Sequence, residues 1–361
     1  MKWIQNNAES FGGDKSRITI FGGTSVGLLL LTKNAENLFQ RAILQSGPVF
    51  GPFGIDTEKE ALSKSRTLGA LVNCTVQKLE TAISCLKNVT IEQLVNATES
   101  MSQVGIIMKP MFDDDNMFEN SPVDNLLTFH YNQKVDLLYG VNANESTPGI
   151  YSLFFPFIPN LNETITIEDI FNAIRWIMQI GQLPYIDEVL QKYTQNLSDN
   201  STQDDLKNIV STLHSDINFV CPSILFGQQI ARNTPGRQYF SYYLIDKTSS
   251  KSSECTDWMS MCYQQEIGNI FGHSFIKWPS VESEIGFSRA MIQAWTNFAR
   301  TGTPGIFNGT EWKPAWNGQN FNTMILESGN SRMHENLFHS FCVDFWQEKM
   351  FSYYRYSAND D

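Results

Sequence analysis

Apolar residues in this chain fall into short bursts closed by glycine, separated by longer stretches of helical spacing. Arg17-Ile18-Thr19-Ile20-Phe21, closed by Gly22 and Gly23, predicts a short strand. Leu28 to Leu31 opens an apolar helix behind it, and Ala42-Ile43-Leu44-Gln45 reads as the next strand. Strand, tight glycine turn, helix and strand in that order predict a parallel pair joined by a crossover. Val135 to Val141 and Gln238 to Leu244 predict two further core strands, while 57–106 and 165–220 read mainly as helices and loops. The most polar stretch, Asn196 to Asp205, reads as a solvated loop, after which Leu206-Lys207-Asn208-Ile209-Val210 resumes a helix. The fold class predicted is α/β with one dominant, mainly parallel sheet flanked by helices.

Composition narrows the class. Hydrophobic residues make up 42% of 361, which suits a folded globular chain. The longest strongly apolar run, Val26 to Leu31, is too short for a transmembrane segment, so none is expected. With 38 acidic residues against 26 Lys plus Arg and no basic cluster, the net charge of -12 argues against nucleic acid as a partner. No cofactor and no metal ligand set is expected.

Six cysteines and eight Asn-x-Ser/Thr sequences predict a secreted or extracellular surface glycoprotein. The glycosylation candidates are Asn73, Asn88, Asn96, Asn144, Asn162, Asn196, Asn200 and Asn308.

Longer words in the sequence then identify a family. Trp3-Ile4-Gln5-Asn6-Asn7, Phe11-Gly12-Gly13-Asp14, Arg17 to Gly22 and Leu38 to Gly47 occur in order, followed by Ala294-Trp295-Thr296-Asn297-Phe298-Ala299-Arg300-Thr301-Gly302 and Trp312-Lys313-Pro314-Ala315-Trp316. Together they resemble the carboxylesterase type B and cholinesterase family over residues 1 to about 347. The resemblance implies an α/β-hydrolase fold, a single partial domain over 1–361 lacking the family's N-terminal strands, and bridges Cys74–Cys85 and Cys221–Cys342. Cys255 and Cys262 are left either bridged or as two buried thiols.

The same resemblance implies a Ser-His-acid triad, and each member can be sought. The family's nucleophile turn is shortened here to Phe21-Gly22-Gly23-Thr24-Ser25-Val26-Gly27. Ser25 is therefore either a helix N-terminal or packing serine, or a displaced nucleophile in a G-x-S-x-G turn. Glu145, at the end of Gly140-Val141-Asn142-Ala143-Asn144-Glu145, matches the triad acid. The histidine loop reads Trp258-Met259-Ser260-Met261-Cys262-Tyr263-Gln264-Gln265-Glu266, with Tyr263 in the histidine's place. A phenol with a reference pKa of about 10 stays protonated at neutral pH and makes a poor base for a serine hydroxyl. None of His130, His214, His273, His334 and His339 is a convincing substitute. Ser46 and Glu266 match a supporting buried polar network.

Three readings follow. The first is a non-catalytic family member acting by binding a protein partner or a small ester or hydrophobic ligand. The second is a serine carboxylic ester hydrolase with Ser25 as nucleophile. The third is a partial sequence of an ordinary active esterase.

Overall fold

The structure, a computed structural model, describes residues 1–51, 54–74, 79–103, 106–111, 118, 120–145, 164–180, 183–198, 200–246, 261–276 and 281–356. Its centre is a six-stranded sheet built from β1 (Thr19–Gly22), β2 (Arg41–Gln45), β3 (Asp136–Asn142), β4 (Tyr239–Leu244), then a two-stranded hairpin β5 (Ile306–Phe307) and β6 (Thr310–Glu311) set apart from it, and finally β7 (Asn322–Leu326) and β8 (Arg332–Glu335). The sheet order is β1-β2-β3-β4-β7-β8. Among the described residues, the pairings within this sheet are parallel except β7 with β8, and the separate β5–β6 hairpin is antiparallel.

Parallel strands need covered faces, and the sequence provides them. β2 and β3 are buried almost throughout, as their near-continuous Ala/Ile/Leu/Val runs require. One face carries the larger core, including Leu44, Leu137, Tyr139, Ile224 and Phe226, and a second cluster around Leu138, Tyr242, Phe287, Trp295 and Phe298 fills the other. Helix 282–301 lies against that second face, where Met291, Ala294, Trp295 and Phe298 recur at helical spacing and are buried.

The predicted strands lie where the pattern put them, within a residue or two at either end. The crossover helix begins earlier than its apolar run: Thr24–Leu31 is helical, so Thr24 and Ser25 belong to its first turn. Helix Gln203–Ser215 continues through one π-helical turn, Asp216–Val220, into helix Cys221–Asn233. By length and composition the run 203–233 is apolar enough to cross a membrane, yet 83% of its most apolar window is buried inside the fold. It is a core helix whose apolar residues are interspersed with polar ones, which is why no uninterrupted apolar run marked it.

Both expected bridges are present, Cys74–Cys85 and Cys221–Cys342. Cys262 is also disulfide-bonded, which removes the alternative of a buried thiol at that position; Cys255 lies outside the described residues, as do Asn162 and Trp258, Met259 and Ser260 of the histidine loop.

Candidate functional site

Four segments converge at the C-terminal ends of the parallel strands: the turn after β1, the end of β2, the end of β3 and the loop Met261–Glu266. The turn after β1 is made by two glycines. Gly22 sits at φ 143, a region open essentially to glycine, and Gly23 at φ -89 caps the helix that starts with Thr24. A Cβ on Gly47 would stand 2.7 Å from the Gly23 carbonyl carbon, so the turn and the end of β2 touch backbone to backbone.

The second half of the site is a buried carboxyl pair. Glu145 is fully buried and Glu266 nearly so. Ser46, held at φ 48 just past β2, donates its hydroxyl to Glu145 Oε1 at 2.5 Å, and the Asn142 amide donates to the same oxygen at 2.6 Å. Ser215 Oγ accepts from the Glu145 backbone amide at 2.9 Å. Asn142 Nδ2 donates to Glu266 Oε2 at 2.7 Å, and Gln45 Nε2 reaches Glu266 Oε1 at 3.3 Å. Asn142 thus ties the two acids together with its backbone and side chain.

Among the described residues no cation pairs with either acid. Burial, and secondarily the Glu266 carboxylate, push the Glu145 carboxyl up to about 8, against the opposing hydrogen bonds from Ser46 and Asn142. Burial raises Glu266 as well. Glu145 Oε2 and the Tyr242 hydroxyl are both buried and without a hydrogen-bond partner among the described residues. Burial and mutual repulsion thus raise both carboxyls and favour the pair's holding a proton between them.

Tyr263 flanks the acids and is half-buried. Burial, then the Glu145 and Glu266 charges, raise its phenol above the ordinary value. Its ring packs at 5.1 Å on Phe219, which the π-helical turn carries, and Phe219 lies 6.3 Å from His214. His214 is the one histidine of the five that is buried, and burial pulls its imidazole down to about 4. His130, His273, His334 and His339 are exposed. Among the described residues no imidazole bonds to Glu145 or to Ser25.

The structure thus brings Glu145, Ser46, Glu266 and Tyr263 together and leaves Ser25 apart. Ser25 is exposed on the first turn of helix Thr24–Leu31, beyond the glycine turn rather than in it, because only Gly22 and Gly23 fit the bend. Gln45, Asn142, Ser215, Phe219 and Tyr242 also build the site and were not assigned a role from sequence. Gln45 and Asn142 lie inside the matched words and could have been found there; Ser215, the last residue of helix Gln203–Ser215, and Phe219, in the π-helical turn that follows, could not, since nothing local marks that junction.

Among the glycosylation candidates, Asn73, Asn88, Asn96, Asn196, Asn200 and Asn308 are exposed. Asn144 is buried, with its amide exchanging hydrogen bonds with Ser211 at 2.9 and 3.1 Å. Among the described residues no group of three or more His, Cys, Asp or Glu side chains is placed to hold a metal ion.

A mainly parallel sheet with helices on both faces and a buried acid at a strand's C-terminal end defines an α/β-hydrolase fold. The family model described as the carboxylesterase family matches residues 1–346, and the chain belongs to that family. It is 29% identical to acetylcholinesterase of Bungarus fasciatus over 84% of this chain and 50% of that protein. It is 26% identical to acetylcholinesterase of Danio rerio over 95% of this chain and 60% of that one, and 27% identical to liver carboxylesterase 1 of Mus musculus over 96% and 62%. The chain thus spans between half and about three-fifths of the length of these curated relatives.

Proposed function

We propose that this chain acts by binding and not by ester hydrolysis, as a secreted or cell-surface glycoprotein of the carboxylesterase and cholinesterase type. The observation that carries the reading is Tyr263 beside the Glu145–Glu266 pair, where a base would have to work. A phenol whose pKa is raised by its surroundings cannot take a proton from an alcohol at neutral pH, and a Glu145 whose burial favours the neutral acid is poorly suited to stabilise a cationic base. The disulfides fit an oxidising compartment.

A binding role is supported by exposed aromatics near β1. Phe21 on β1 is 52% exposed, 6.1 Å from the 61% exposed Phe271. Neighbouring exposed aromatics suit a protein partner better than water. A small ester or hydrophobic ligand is the alternative occupant.

One observation favours the hydrolase reading: Ser25 is exposed at the start of the helix that directly follows β1. Turnover of a short-chain aryl ester by the wild type and by Ser25→Ala decides between them. The binding reading expects the same negligible rate from both; turnover abolished in Ser25→Ala would replace it with the hydrolase reading.

A further inference from the structure

Away from the carboxyl pair, a groove of about 530 Å³ opens between the end of helix Ile186–Thr194, helix Gln203–Ser215 and Phe341 of the π-helical segment His339–Gln347. That volume lies within the roughly 300–1,000 Å³ of ordinary ligand sites. Its apolar wall is Tyr193, Leu197, Ile209 and Phe341, and its polar rim includes Asn208 and Thr212. Tyr193 meets Phe341 edge-on at 5.5 Å. The Tyr193 hydroxyl is fixed from below, donating to Asp216 Oδ2 at 3.0 Å and accepting from Trp346 Nε1 at 3.1 Å. An aromatic wall held this rigidly, facing amides and hydroxyls, is chemically suited to a sugar, whose C–H faces pack on rings while its hydroxyls bond the rim.

The groove also carries its own points of attachment. Asn196, of Asn196-Leu197-Ser198, and Asn200, of Asn200-Ser201-Thr202, both line it and are exposed, whereas the exposed Asn88, Asn96 and Asn308 do not line it; of the two, Asn196 adjoins Leu197 of the apolar wall. We infer that the groove is the seat of the N-linked glycan on Asn196, whose first sugars lie against Tyr193 and Phe341. The inference rests on the glycoprotein reading above. A glycan joined to the wall of the groove meets it at an effective concentration of about millimolar, so contacts too weak to hold a free sugar suffice to hold a tethered one. It then covers apolar surface that the bare chain leaves open to water.

The test uses the chain made in a secreting eukaryotic cell and treated, while folded, with peptide N-glycosidase in heavy-oxygen water, with release followed site by site by mass spectrometry. The expected result is release at Asn196 at least about tenfold slower than at Asn88, Asn96 and Asn308, with the difference gone after denaturation. Thr212→Trp, a substitution at an exposed rim position, fills the groove and brings the Asn196 rate up to that of the others; Phe341→Ser does the same by removing the wall. An unoccupied Asn196, equal release at all sites from the folded wild type, or protection that survives both substitutions overturns the inference. Absence of glycan at every site, with the chain retained inside the cell, overturns the secreted glycoprotein reading as well.

Discussion

Replacing Glu145 by glutamine should make the protein less sensitive to alkali. In the unfolded chain a glutamate carboxyl has a pKa of about 4.5, and in the folded chain burial pushes that of Glu145 up to about 8. Between those values the folded state holds a proton that the unfolded state has released. The stabilising effect of the buried neutral acid is therefore complete below the unfolded pKa and is lost as pH rises toward the folded one, at about 1.4 kcal/mol per pH unit. From acid conditions to about pH 8 the loss is on the order of a few kcal/mol, an appreciable part of the 5 to 15 kcal/mol that stabilises a typical domain. Glutamine is nearly the same shape, keeps an oxygen to accept from Ser46 and Asn142, and has nothing to ionise. Urea unfolding of wild type and Glu145→Gln at about pH 5 and about pH 8 measures the difference between them, so that titrating groups not coupled to Glu145 cancel. The variant should gain several kcal/mol on the wild type between the two conditions. A wild-type-minus-variant difference constant within about 1 kcal/mol would refute the shared buried proton.

Further predictions follow from the same network and from the bridges. Tyr263→His places an imidazole beside the acids, and its cationic form favours ionised Glu145; alkaline stability should rise in urea unfolding, while aryl ester turnover stays absent because Ser25 remains outside the glycine turn. Asn142→Ala removes the donor shared by Glu266 and leaves a buried acceptor unpaired, for an expected loss of about 1 to 3 kcal/mol by denaturant midpoint. The double substitution Cys221→Ser and Cys342→Ser opens a closure of 121 residues, worth about 4 to 5 kcal/mol in the chain-entropy account, and should lower the melting temperature far more than opening the 11-residue Cys74–Cys85 loop.

The parts of this fold that local chemistry dictates were legible in the sequence. Gly22-Gly23 marked the turn after β1, and the apolar runs of β2, β3 and β4 marked strands buried on both faces. β7 and β8 were not foreseen: Asn322–Leu326 opens with two polar residues that are nonetheless buried, Thr323 hydrogen-bonded to Ser241 across the sheet. Only the parallel pairing with β4 makes that segment a core strand. At the site, Glu145, Ser46, Glu266 and Tyr263 were found from matched words and do gather in space. Asn142 lay inside one of those words, but its role, a backbone amide and a side chain reaching two acids more than a hundred residues apart in sequence, showed only in the fold. Likewise, Ser25 fits a nucleophile pattern as a string of letters, yet helix Thr24–Leu31 already includes it as its second residue, past the turn.

The central claim is that a carboxyl pair without imidazole, and a serine outside the turn, leave this α/β-hydrolase site unable to attack an acyl or phosphoryl centre. Incubation of the folded chain with a fluorophosphonate probe, followed by intact-mass and peptide-level mass spectrometry, tests it directly. The account predicts unmodified protein, with Ser25 and Ser46 both free of adduct; a stoichiometric adduct on either serine, formed by the native chain and not by the denatured one, would contradict it.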